Sequence, residues 1–593
     1  MQLFALIPIR SLLPSPSART PRRLATLGAC LGLALITFAV FGQTTRFHFL
    51  NFDDDLFISE NPKLAAGLSA KGIAWAFTAN LTHNEPGAEY WEPLTLVSRL
   101  ADVQLHGLSP GNHHLSNVLF HLAAGLVLFG ALNTLLHSTP RSGVITALFL
   151  IHPLHVEAVA WLSARKDILN GLFFFATIWA YAWYAARPAW RRYLLVCVSF
   201  LCANMAKPMA VSLPLVLLLL DFWPLGRLKR PLIDRHSLRL GMEKIPLVVI
   251  ASLVSLVAVI DQQRHGAMGD NVLYPLSIRL GNAVISYAAY LGQTFVPCGL
   301  SIFYPHPGNS LNWPLAAASA ACCVLITGLC LVQARARPWL LVGWGWFVVV
   351  LLPVSGVIQI GEMARADRYT YVALVGIFVL CVQEAATSGS AWLFHSPSRW
   401  RTVIMASTAA AVIAVSGWLA WKQTGTWRDS ISVFSQALAV TEDNYIAHIN
   451  LGEALYAAGR KDEGLQHYRE AIHLHSPVLD YHQRAGANAE ERGDFQNAIY
   501  HYGKIVTFVP WSSPARQRLG GVLFKTGEYG KALVQYNEAL RYDRNAIPPR
   551  LGIARVLIAQ QRFLEARGLI EVIRRLEPAN VEAHALLRSL PPA

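Results

Sequence analysis

The chain lacks the means to build a disulfide or zinc framework. It has eight cysteines and no C-x-x-C pair. Most of them lie inside apolar runs (Cys30, Cys197, Cys202, Cys322, Cys323, Cys330 and Cys381), with Cys298 near a boundary, so cross-links and structural zinc are not expected. Charge is equally sparse. Asp, Glu, Lys and Arg make up 15% of the 593 residues against 54% apolar types, which excludes an ordinary soluble protein. The net charge of +14 does not indicate nucleic acid, because no tail or single face gathers it. The clusters Arg19/Arg22/Arg23, Arg187/Arg191/Arg192, Arg335/Arg337 and Arg399/Arg401 punctuate the apolar runs, as the Lys and Arg of cytoplasmic loops do.

Apolar runs of membrane length are abundant. A ~30 Å hydrocarbon core takes roughly 17 to 25 apolar residues per helix, and such segments recur between residues 24 and 421. The first follows a basic start and has no small-x-small cleavage site after it, so it reads as an uncleaved anchor. With residues 1–23 cytoplasmic, residues 43–112 become the first external loop, and about eleven spans are expected. Residues 276–300 would break the alternation of basic loops if they crossed, so they read as an interfacial or re-entrant element. The runs stop after Trp421. Residues 422–443 read as a linker and 444–593 as an external helical domain, which makes the expected fold all-α throughout.

That last domain repeats. Gly452, Gly486, Gly520 and Ala554 are spaced by thirty-four residues, as are Tyr468, Tyr502, Tyr536 and Ile570, while Pro510 and Pro578 share a repeat-end position. The period and the small/aromatic pattern are those of four tetratricopeptide helix-turn-helix units. Such a solenoid has a concave groove suited to an extended polypeptide, or else serves assembly with a neighbour.

Ionisable residues at membrane depth are costly and face a cavity or a partner. Here they gather on the external side. Asp53, Asp54 and Asp55 stand in "NFDDDLF", Asp102 and His114 further along the first loop, and His152, His155, Glu157, Arg165, Lys166 and Asp167 in "IHPLHVEAVAWLSARKDIL". Lys207 stands in "MAKPM", and Arg365 and Arg368 in "GEMARADRYTY". Solvated loop charges are the plain alternative, less apt where the residues adjoin apolar runs. A metal is a second alternative, since His113/His114 and His152/His155 offer nitrogen ligands. Pro153 separates the latter pair and no dense set of further ligands surrounds them, so no metal site is assigned. Transfer from a lipid phosphate uses both signs of charge: a carboxylate accepts the proton of an attacking hydroxyl, while Arg and Lys stabilise the departing phosphate.

The acidic pair, "WEPLT", "GNHHLSN", "HPLHVEAVAW" followed by "RKD", "AKPM" with "LLDFWPL", and "ADRYTY" together resemble the bacterial relatives of the transmembrane and tetratricopeptide repeat family of protein O-mannosyltransferases, over about residues 46 to 590. The resemblance implies a multispanning glycosyltransferase of the GT-C class. It would transfer a sugar, typically mannose, with inversion from a polyprenyl phosphate to a Ser or Thr hydroxyl of a polypeptide bound by the repeats. The donor is then a lipid-linked substrate, and a divalent metal is not called for. The family's essential acid falls on Asp53 or Asp54, with Asp54 taken as general base and Asp53 in support. Arg365 and Arg368 would serve the phosphate, with His152, His114, Asp102, Arg165, Lys166 and Lys207 as pocket residues. Asp55 stands where relatives often have proline, and Glu92 where His is expected. The implied location is a bacterial inner membrane, with the N-terminus cytoplasmic and the repeats periplasmic. The rival reading is a membrane-anchored repeat scaffold without chemistry.

Overall fold

A proline sets the central feature of the membrane portion. The helical pieces Thr139–Ile151 and Pro153–Ala160 are bent by 54° at His152. Pro153 has no N–H to continue the ladder, and the His152 Nδ1 accepts the Leu154 amide at 3.3 Å. A 3-10 turn, Leu162–Ala164, then leads into the helix Arg165–Ala186. Every residue from 152 to 170 is buried. Irregular backbone of this kind is tolerated at membrane depth only where protein or a wet cavity receives its polar groups.

The computed structural model describes residues 16–79, 91–228, 234–264, 274–359, 361–392 and 398–591. Residues 1–15 of the segment assigned to the cytoplasm therefore lie outside the described residues. The chain divides into two units, Met1–Glu442 and Asp443–Ala593.

The first unit is an integral membrane domain. Among the described residues seven helices are long and apolar enough to cross a membrane, or eight if the bent pair counts as one. This is fewer than the eleven expected. Three runs taken as spans fold as Trp190–Ala206, Leu213–Phe222 and Pro338–Leu351, helices of 17, 10 and 14 residues, because Lys207 and the flanking prolines interrupt runs that hydropathy alone joins. Within residues 276–300, Leu276–Phe295 is one continuous 20-residue helix. Residues 422–443 are not an open linker either. They hold the end of the helix Ser398–Gly425 and a further helix, Ser430–Val440.

Helices Pro338–Leu351 and Thr370–Trp392 meet backbone to backbone. A Cβ on Gly343 would stand 2.5 Å from the Gly376 carbonyl oxygen, and one on Gly376 would stand 2.4 Å from that of Gly343. Small residues permit this approach in a bilayer, and it anchors the segment that precedes Thr370. Among the described residues the fold is all-α except for two short antiparallel strands, Tyr304–Pro305 and Met363–Arg365, with Tyr304 opposite Arg365.

In the second unit the thirty-four-residue period proves to be a packing rule. A Cβ on Gly452, Gly486 or Gly520 would come within 2.9, 2.8 or 2.7 Å of the rings of Tyr468, Tyr502 and Tyr536 respectively. Each glycine and the tyrosine on the facing helix thus form one unit. In the fourth repeat Ala554 and Ile570 occupy these places, both wholly buried. One expected turn is missing, since Lys461–Glu491 is a single 31-residue helix shared by the first two repeats.

Candidate active site

The buried stretch 157–170 is met in turn by side chains from distant parts of the chain. Glu157 takes Arg368, whose backbone amide donates to Oε2 at 2.8 Å while its guanidinium pairs with Oε1. Trp161 Nε1 donates to the Phe52 carbonyl at 3.1 Å, and the two rings stack with centroids 5.4 Å apart. Arg368 Cζ lies 5.1 Å from the same tryptophan ring. Ser163 donates through its amide (3.0 Å) and its hydroxyl (2.6 Å) to Asp54 Oδ1. Asp167 pairs with Lys207 at 2.7 Å, and Asn170 Nδ2 donates to the Lys207 carbonyl at 2.9 Å. The Asp54 carboxylate and the late Arg368 guanidinium therefore reach one short stretch, whose Trp161 ring is met by both Phe52 and Arg368.

The two leading aspartates differ in access. Asp54 is wholly buried, and its Oδ2 accepts the Leu50 amide at 3.1 Å. Burial pushes its carboxyl up to about 6, against the pull of the Ser163 and Leu50 hydrogen bonds and of nearby Arg99. Asp53 is half-buried and sits at φ +68°, a left-handed backbone that costs a non-glycine residue on the order of 1 kcal/mol or more. The turn is held there by the Phe57 amide on the Asp53 carbonyl at 2.8 Å. It is also pinned to the helix Ser430–Val440, through the Asn51 amide on Ser430 Oγ at 3.0 Å and the Phe52–Phe434 edge contact at 5.9 Å. Asp55 Oδ1 accepts only the adjacent Leu56 amide, at 2.8 Å, among its described hydrogen bonds.

Several residues expected to line the pocket make buried contacts with other protein groups. Arg165 is wholly buried and donates to Asp102 (2.6 Å), Asn117 Oδ1 (2.7 Å) and the His113 carbonyl (3.0 Å). Asp102 also accepts the Ser116 hydroxyl at 2.8 Å. That network ties the first loop to the helix Pro110–Leu136 and leaves neither charge facing an opening. His152 uses both ring nitrogens, Nε2 toward the Thr294 carbonyl at 3.0 Å and Nδ1 on the Leu154 amide. His114 is buried edge-on to Phe47 at 5.9 Å, and Lys166 Nζ lies 6.0 Å from the Phe57 ring.

Lys207, Arg365 and Arg368 surround an aromatic patch. Lys207 Nζ stands 5.4 Å, and Arg368 Cζ 5.1 Å, from the Tyr369 ring. Asp167, Asn170, Met209, Arg368 and Tyr369 line a cavity of about 10 Å³ there. Arg365 is half-buried, lies 4.1 Å over the Tyr304 ring and keeps its Nε without a hydrogen bond. Tyr304 in turn donates to Asp367 Oδ1 at 2.8 Å. Trp161, Ser163 and Tyr304 were not singled out from sequence. The first two lie inside the quoted charged stretch, where the spacing of uncharged residues between charges was the available signal, and for Tyr304 no signal exists. Among the described residues no group of three or more His, Cys, Asp or Glu is placed to hold a metal.

Tetratricopeptide repeat models match residues 416–477 and 523–590, so the first match begins ahead of residue 444 and takes in the helix Ser430–Val440. The chain is 22% identical over 512 residues to the protein O-mannosyl-transferase Tmtc3 of Drosophila melanogaster, covering 72% of this chain and 53% of that one. It is 23% identical over 476 residues to the protein O-mannosyl-transferase TMTC4 of Mus musculus, covering 70% and 63%. The chain is homologous to these proteins and spans about half the length of the curated relatives it matches. Among solved structures, ArnT from Cupriavidus metallidurans bound to undecaprenyl phosphate aligns over 79% of this chain and 81% of its own, at 14% identity and a TM-score of 0.35.

Proposed function

We propose that the chain is a membrane glycosyltransferase that moves a sugar, mannose by analogy with its homologues' names, from a polyprenyl-phosphate donor to a Ser or Thr hydroxyl of a polypeptide. The observation that carries this is the convergence on Trp161 of Phe52, which immediately precedes the Asp53–Asp54 turn, and of Arg368. A carboxylate suits proton removal from an acceptor, and a cationic aromatic patch suits charge neutralisation on a leaving phosphate.

Asp53 takes the general-base role, because Asp54 has both oxygens turned inward. Asp53 removes the hydroxyl proton, the acceptor oxygen bonds to the sugar's anomeric carbon from the face opposite the phosphate, and the bond to the phosphate oxygen breaks. Arg365, whose Nε has no hydrogen bond, meets the phosphate first, with Lys207 and Arg368 behind it. The site faces away from the cytoplasm of a bacterial inner membrane, and the repeats present the polypeptide.

The test is transfer from purified undecaprenyl-phosphate mannose to a Ser/Thr peptide by the full chain in detergent. Transfer by the native protein, lowered about 10²–10⁴-fold in Asp53→Asn with unchanged thermal unfolding, is the expected result. Equal transfer by the variant would remove Asp53 from the mechanism, and no transfer by native protein would leave a scaffold.

A further inference from the structure

The repeat period reaches back beyond the second unit. Counted back by thirty-four residues from Tyr468, Tyr502 and Tyr536, the aromatic position falls on Phe434, in the helix Ser430–Val440 of the first unit. The small position that holds Gly464, Ala498, Ala532 and Ala566 falls on Ser430, and the one that holds Ala471 and Ala539 falls on Ala437. Phe434 and Ala437 are wholly buried, as Tyr502, Ala532 and Ala539 are. Ser430–Val440 therefore carries the sequence of a repeat's second helix.

The first helix that would pair with it lacks the matching feature. Where Gly452, Gly486 and Gly520 receive the tyrosine rings, the same count gives Trp418, which lies on the helix Ser398–Gly425 and is exposed. Ser430 and Phe434, four residues apart and so on one face, meet the aspartate loop instead. Phe434 stands edge-on to Phe52, with centroids 5.9 Å apart and planes at 84°. Ser430 Oγ accepts the Asn51 amide at 3.0 Å, and the Arg428 carbonyl, just ahead of the helix, accepts the His48 amide at 3.1 Å. The serine marks this use. No later repeat carries a hydroxyl at its position, so packing between repeat helices does not call for one, whereas a backbone amide on an irregular loop needs an acceptor.

Phe52 also stacks on Trp161, whose Nε1 donates to the Phe52 carbonyl. The next residue is Asp53, at φ +68°, and a non-glycine residue keeps that conformation only where its surroundings over-determine it. We infer that Ser430–Val440 is the second helix of an incomplete repeat that receives the aspartate loop in place of a first helix, and that Phe434 and Ser430 are positioning residues for Asp53. The inference rests on the reading of Asp53 as general base. Phe434 fixes the Phe52 ring and Ser430 the Asn51 amide, and together they set the direction in which the Asp53 carboxylate leaves the chain.

The test uses the full chain in detergent. Its readouts are transfer from undecaprenyl-phosphate mannose to a Ser/Thr peptide and hydrogen exchange of the peptides covering residues 46–60. Ser430→Ala installs the residue that Ala498, Ala532 and Ala566 supply in later repeats, so a role in repeat packing alone gives native behaviour. The positioning role gives a kcat lowered about tenfold or more, a donor KM within about twofold of native and faster exchange over residues 46–60, with Ser430→Thr restoring all three. Phe434→Ala should lower kcat about 100-fold, and Phe434→Leu, which keeps an apolar side chain against Phe52, should recover most of it. Should Phe434→Ala fail to fold, the serine variants decide. Native kcat and native exchange in Ser430→Ala overturn the positioning role and leave Asp53 as base. No transfer by the native chain overturns the reading of Asp53 itself, and with it the role that rests on it.

Discussion

Ser163 gives both its amide and its hydroxyl to a single oxygen of Asp54, a residue 109 positions earlier. The aspartate turn is thereby fixed to the broken helix, and the mechanism proposed above assigns the base role to the neighbouring Asp53. Ser163→Ala keeps the amide contact and loses the hydroxyl one. A hydrogen bond to a charged group contributes about 1.5–3 kcal/mol. Turnover of sugar transfer should fall at least tenfold with little change in the donor's KM, and thermal unfolding in detergent should drop by a few degrees.

The pH dependence follows from Asp54. Its carboxyl is raised from 3.8 to about 6, chiefly by burial, so between those values the folded state binds more protons than the unfolded one. Stability then falls as pH rises through that window, and above it the cost is about 3 kcal/mol. Asp54→Asn should flatten the difference in unfolding free energy between pH 4 and 6. Transfer by native protein should decline below pH 6, as protonation loosens the Ser163 anchor. An unchanged stability slope in the variant would show that other groups set it.

Glu157 and Arg368 form a buried pair joined by the side chains and by one backbone amide. Removing one partner strands the other's charge, at a cost of about 3–5 kcal/mol. Glu157→Gln should therefore lower yield and melting temperature sharply. Adding Arg368→Gln should restore stability in part, without restoring transfer.

The repeat rule is testable by exchange. Gly520→Ala would place a methyl 2.7 Å from the Tyr536 ring, and overpacking of this kind costs about 1–3 kcal/mol. Tyr536→Ile in the same chain reproduces the Ala554/Ile570 combination of the fourth repeat. It should recover part of the loss, as read by thermal unfolding. A variant pair no better than Gly520→Ala alone would refute the pairing.

Much of the candidate site was legible in advance, because charges in apolar surroundings stand out. Asp54, Lys207 and Arg368 each contact the 157–170 stretch, and Arg365 lies over Tyr304. Arg165, Asp102 and His152 carried the same signal, and in the structure they are buried and hydrogen-bonded to other protein groups. Nothing local separates a charge that reacts from one that is already paired. Fewer helices reach membrane length than the hydropathy runs for a related reason: hydropathy averages over Lys207 and the prolines, whereas backbone hydrogen bonding stops at them.

Membrane character, helical class and the thirty-four-residue repeat were settled by pattern along the chain, since each arises from neighbours a few residues to one period apart. Tertiary structure alone decided which aspartate is sealed, which cations are paired with which carboxylates, and that one tryptophan ring meets both Phe52 and Arg368. The partners that decide burial and charge pairing lie 40 to 211 residues away, and only the folded chain brings them within bonding distance.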